Sequence, residues 1–152
     1  MASGFMADAR FWWNVDSHVG PSCPNKIEDV QLVQLGYVCK AASPKDTSPP
    51  AAKAIFAAVV PGAPYSGAAN DPLSIAIRTH QKLKGGTQDG RVSPVQNSTG
   101  SYDGANLWMI QGLDNCMLDV LKSAWPRLDR HPKCPAALRA AVLRVFPEVL
   151  NF

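Results

Sequence analysis

Asp71-Pro72-Leu73-Ser74-Ile75-Ala76-Ile77-Arg78-Thr79-His80-Gln81-Lys82-Leu83-Lys84-Gly85, followed by Gly86-Thr87-Gln88-Asp89-Gly90-Arg91-Val92-Ser93-Pro94, reads as a helix with both ends written into it and a tight turn behind it. Asp71 has the side chain to cap the first free backbone N–H groups, and Pro72 suits the first helical position, where its missing N–H would be unpaired anyway. Gly85 can take the left-handed conformation that closes a helix. Leu73, Ala76, Ile77, His80 and Leu83 recur at steps of three and four, so they share the face that packs. Arg78, Lys82 and Lys84 fall largely on the other, and Asp89-Gly90 makes the turn.

On either side of this stretch the chain repeats the pattern of helix and Pro/Gly loop. Upstream, Asn25 and Glu28 have the spacing of a reciprocal capping box, and Val30, Leu32, Val33, Leu35, Tyr37 and Cys39 form a wide apolar face, predicting a helix over 26–41. Ser43–Pro50 carries three prolines; it breaks that helix and starts the next, Ala51–Val60, which Pro61-Gly62 stops. Downstream, Arg91–Asp103 lacks periodicity and reads as a surface loop. A helix is expected from Ala105 to Trp125, weakened at its middle by Gly112, and a last one from Pro135 to the stop at Pro147. Phe11, Trp12 and Trp13 are expected to close over the core. No period-2 strand stands out, so the expected fold class is all-α: a helical bundle elaborated by two further C-terminal helices, residues 105–152.

At 152 residues the chain is long enough for one domain with its own core, and 46% hydrophobic with 18% charged residues is a globular composition. No window approaches the run of about 18 apolar residues that a membrane-spanning helix needs, so no membrane partner is expected. A net charge of +3 without a Lys/Arg block argues against a nucleic-acid partner. Met1–Arg10 lacks a basic start followed by an apolar run, so the chain is expected to be cytoplasmic as synthesised.

Cys23, Cys39, Cys116 and Cys134 are expected to be inert thiols. Asp16, His18 and Cys23, with His131 and Cys134, are ligand types that zinc takes. Pairs flanked by proline are also ordinary loop punctuation, so neither a metal nor any other cofactor is expected. No cysteine or paired-carboxylate signature marks a catalytic residue, and the chain is not expected to be an enzyme. Asn97-Ser98-Thr99 fits a glycosylation acceptor pattern, empty unless the protein is exported.

Two stretches together resemble the bacterial peptidoglycan-binding domain, a small helical cell-wall module. Val19-Gly20-Pro21-Ser22-Cys23-Pro24-Asn25-Lys26-Ile27-Glu28-Asp29-Val30-Gln31-Leu32-Val33-Gln34-Leu35 is similar to its glycine-bearing lead-in and following helix, Asp-Val-x-x-Val/Leu-Gln-x-x-Leu. Ser74–Gln81 followed by Asp89-Gly90-Arg91-Val92-Ser93-Pro94 resembles its Thr-x-x-Ala-Ile/Val-x-x-Phe-Gln and later Asp-Gly-x-Val-x-Pro, with His80 where the family has Phe. The resemblance covers residues 19–95. It implies non-catalytic recognition of peptidoglycan or its fragments in a shallow groove, with Gln34, Tyr37, His80, Gln81, Asp89 and Arg91 as candidate ligand-binding residues. Arg91 suits the carboxylates of a peptide stem, which a guanidinium meets in bidentate fashion. A wall ligand further implies delivery to the periplasm by a phage or toxin-delivery system, with a secreted toxin or apparatus protein as partner. The alternative is a cytoplasmic helical adaptor or immunity protein that binds a protein partner.

Overall fold

The computed structural model describes residues 2–7, 9–96 and 108–147. A hairpin of β1 (Ser3–Ala7) and β2 (Arg10–Asn14) precedes α1 (Ile27–Ala42), α2 (Pro50–Ala57), α3 (Pro72–Lys84), α4 (Met109–Leu121) and α5 (Ala136–Val145). Short 3-10 turns at Lys122–Ala124 and Leu128–Arg130 join the last two helices. The fold is therefore mixed, which corrects the all-α expectation.

The hairpin lacks a strand signature because Trp12 and Trp13, on opposite faces of β2, are both buried, so β2 shows no alternation of polar and apolar residues. Trp13 is fully buried, and its ring meets Phe11 and, from beyond α5, Phe146. Trp12, on the opposite face, is buried beneath the Arg10 guanidinium, 3.7 Å from the ring centroid. Pairing is antiparallel, with Phe5 opposite Trp12 and Met6 opposite Phe11. The turn puts Ala9 at φ 58, where a glycine or asparagine usually announces a hairpin.

Helix α1 is the centre of the molecule. Every residue from Asp29 to Tyr37 is buried, with α2, α4 and α5 packed around it. Such a helix must have its polar side chains matched inside the protein. Asp29 accepts from Asp16 N (2.9 Å) and Ser17 N (3.1 Å). Gln31 Oε1 accepts from Leu138 N at 2.9 Å, in the first turn of α5, where Pro135 offers no capping side chain. Gln34 holds the turn after α2, accepting from Gly62 N (2.9 Å) and donating to Ala63 O (3.0 Å).

The capping box expected at Asn25 and Glu28 does not form. Asn25 closes the preceding loop onto Gly20, Glu28 accepts from Ala2 N and from Arg144, and the cap position falls to Lys26 without a side-chain bond. Helix α3 begins and ends as expected: Asp71 accepts from Leu73 N at 2.8 Å and Gly85 sits at φ 74. Leu83, placed by periodicity on the buried face, is instead exposed in the last turn of the helix. The expected helix over 105–125 is shorter, and 105–107, like Asn97-Ser98-Thr99, lies outside the described residues. Within the expected surface loop after Asp89, Val92 is fully buried. No helix among the described residues is long and apolar enough to cross a membrane.

Gln31→Ala leaves the Leu138 N–H buried without an acceptor. The expected loss is about 1–3 kcal/mol, seen as a lower denaturant midpoint at unchanged slope.

Candidate functional site

The lead-in and the Asp-Gly turn, some seventy positions apart in the sequence, meet backbone to backbone. Val19 N donates to Val92 O at 3.0 Å and Val92 N to Val19 O at 2.8 Å. Gly20 follows at φ 151, and a Cβ there would lie 2.5 Å from Gly90 O. Only a residue without a side chain allows this approach.

Gln81, buried at the third turn of α3, fastens the other side of the junction. Its Nε2 donates to Asp89 Oδ1 (2.7 Å) and Arg91 O (3.1 Å), while its Oε1 accepts from Gly90 N (2.8 Å). Partial burial pushes the Asp89 carboxyl up, but the bonds from Gln81 and from the Arg91 backbone and side chain outweigh it, and the net shift is downward. Asp89 is thus held as a carboxylate, with Arg91 Nε 3.1 Å from its Oδ2.

This turn forms one wall of a groove of ≈ 530 Å³. Lys84 and Gly85-Gly86 at the end of α3 supply the second wall, and Ser93, Trp108 and Met109 the rest. Arg91 is half exposed at the rim, its side chain 48% accessible. A groove with a guanidinium, a carboxylate, an ammonium and a half-buried indole suits a ligand that combines apolar faces with carboxylates and amides.

Of the six candidate residues, the structure brings Gln81, Asp89 and Arg91 together here. Gln81 lines the groove but spends its side-chain hydrogen bonds on the turn, to Asp89, Gly90 and Arg91. Tyr37 and His80 do not line the groove and meet one another in the core, with Tyr37 Oη 3.0 Å from His80 Nδ1. Burial, followed by the nearby Lys40 and Lys84 charges, depresses the His80 pKa to about 3, so the ring is neutral. Gln34 stands apart at the Gly62-Ala63 turn. Sequence reasoning missed Lys84, Ser93 and Trp108; the signal for Trp108 was an aromatic residue at the start of an amphipathic helix, and Lys84 read only as part of a wet face.

The candidate zinc ligands remain separate. His18 Nδ1 meets Ser93 Oγ at 2.9 Å, and His131 Nδ1 accepts from Lys133 N within its own loop. Among the described residues no three His, Cys, Asp or Glu side chains form a metal-binding group. Burial pushes the thiols of Cys39 to about 12 and of Cys116 and Cys134 to about 11, so none is a ready nucleophile at neutral pH. The chain matches no family model, and no characterised sequence or solved structure is significantly similar to it.

Gly20→Ala sets a Cβ against the Gly90 carbonyl at a positive φ and is expected to destabilise by about 1–3 kcal/mol. Loss of the Val19 and Val92 amide protection in hydrogen exchange would localise the damage to the junction. The His80 pKa carries its own signature, because the folded value lies below the unfolded 6.5. Its contribution is complete above pH 6.5 and is lost as pH falls toward 3, where the unfolded chain binds the extra proton. Stability should therefore drop more steeply between pH 6.5 and 3 in the wild type than in His80→Phe; parallel profiles would remove the assignment.

Proposed function

We propose that the chain is a non-catalytic recognition module for the bacterial cell wall, binding peptidoglycan through the groove beside Arg91. The observation that carries this reading is the junction itself. The two stretches that resemble the peptidoglycan-binding domain meet at Val19 and Val92, and their joint turn presents Asp89 and Arg91 at a groove rim opposite Lys84 and beside Trp108. Arg91 and Lys84 suit the carboxylates of a peptide stem, and the indole suits the apolar face of a sugar. On this reading the wall is reached through a phage or toxin-delivery system. The second reading, a helical adaptor or immunity protein, draws on the exposed apolar side chains of Met6, Ile27 and Val60.

Co-sedimentation with purified sacculi at low salt tests the proposal. The wild-type protein is expected in the pellet, and Arg91→Ala, which loses a charge-assisted contact worth about 1.5–3 kcal/mol, should bind roughly 10- to 100-fold more weakly. Protein left wholly in the supernatant sinks the wall reading, and a stoichiometric protein partner from the native host then favours the adaptor.

A further inference from the structure

A second cavity, of ≈ 360 Å³, lies between the C-terminal end of α1 and α4, lined among others by Lys40, Lys45, Asp46, Asn115 and Asp119. It shares a side of α4 with the first groove: Trp108 lines the first, Gly112, Asn115 and Asp119 line the second, and these positions fall on one helical stripe. Trp108 to Asp119 spans about 16 Å of helix, the length of about five residues of extended chain.

Gly112 stands at the waist between them. A glycine inside a helix costs stability relative to alanine and needs a reason. Packing against the described residues does not provide one here, because among them a Cβ would meet a single atom within 4 Å, His80 Nε2, at 4.0 Å, an ordinary contact. Nor does the backbone, since Gly112 is not among the positive-φ positions. What the missing side chain does is leave His80 Nε2 uncovered.

That nitrogen carries a hydrogen. Among the described residues the Tyr37 hydroxyl has one hydrogen-bond partner, His80 Nδ1. Burial holds the phenol protonated and the imidazole neutral. With Nδ1 as its one partner, the hydroxyl uses its hydrogen only by donating there, and this arrangement leaves the ring hydrogen on Nε2. His80 is 5% exposed, and among the described residues its Nε2–H has no hydrogen-bond partner and lies 4.0 Å from where a Cβ of Gly112 would stand.

We propose that the two cavities form one peptide-binding groove over Gly112, in which a backbone carbonyl of an extended peptide of about five residues accepts a hydrogen bond from His80 Nε2–H. The ends of the groove set the direction. Arg91 and Lys84 receive the carboxylate end, and the Asp119 carboxylate, whose pKa is lowered first of all by the Ser43 hydroxyl, receives an ammonium. Lys40 is paired with Asp46 at 2.6 Å, and Lys45 Nζ stands 3.9 Å from Asp119 Oδ1 on an 85% exposed side chain, a contact that an incoming ammonium replaces. The inference rests on the cell-wall reading and names the peptide stem as the part of the wall that is held.

The test uses the full chain with two probes: whole sacculi, and soluble muropeptides released from them by muramidase digestion. Gly112→Ala and Gly112→Met progressively cover Nε2 while improving helix propensity. Both should raise Tm by about 2–4 °C and weaken muropeptide binding, by a few fold for Ala and at least tenfold for Met. His80→Phe should lose at least fivefold with either probe, and glycan stripped of its peptides should not bind. Sacculus binding that is unchanged in Gly112→Met and His80→Phe overturns this inference and leaves the cell-wall reading standing. Absence of sacculus binding by the wild type overturns both. Should His80→Phe fail to fold, the stabilised Gly112→Met decides alone.

Discussion

Burial of α1 on all sides is the constraint from which the rest of the structure follows. A helix buried throughout between Asp29 and Tyr37 cannot leave a carboxylate or an amide unmatched, and each of its polar side chains reaches a different part of the chain. Asp29 takes the N–H groups of the segment after the hairpin, Gln31 the first turn of α5, and Gln34 the turn after α2. These are not ion pairs, so little is lost to screening, and each one converts an irregular segment into a fixed one. Gly36 belongs to the same design: a Cβ there would lie 2.9 Å from Leu113 Cβ, so the bare backbone lets α4 pack directly on the central helix.

How much of this could be read beforehand depends on whether the signal is local. Helix α3 was legible to the residue because its cap, its Pro and its closing Gly all act within one turn of the ends they mark. Asn25 carries the same chemistry as a cap but closes a loop onto Gly20, and nothing in its neighbours announces which backbone groups it will meet. The hairpin fails for another reason. Trp13 on one face of β2 packs against Phe146 and Trp12 on the other lies under Arg10 of the same strand, so the alternation that betrays a half-buried strand is missing.

The site divides along the same line. The Asp89-Gly90 turn was visible, as was the guanidinium after it, because turn chemistry is written in adjacent residues. That Gln81 exists to hold this turn, and that Lys84 and Trp108 face it across a groove, are tertiary facts without a short-range signature. Periodicity also placed His80 correctly on the buried stripe but is silent on where a buried ring nitrogen points, which is the property on which its role turns.

The consumption of hydrogen-bonding capacity separates residues that build the groove from those that can recognise anything in it. Gln81 has both its amide nitrogen and its oxygen engaged with residues 89–91, so a ligand would have to break the turn to use it. Arg91 is in the opposite position. Among the described residues its guanidinium is engaged through Nε with Asp89, and that one contact leaves both Nη groups of a half-exposed side chain without a protein partner. Asp89 does for Arg91 what Tyr37 does for His80. In each case one atom of a side chain is fixed by a neighbour so that its remaining donor has a defined direction, and the entropic cost of ordering it is met on folding and not again on binding.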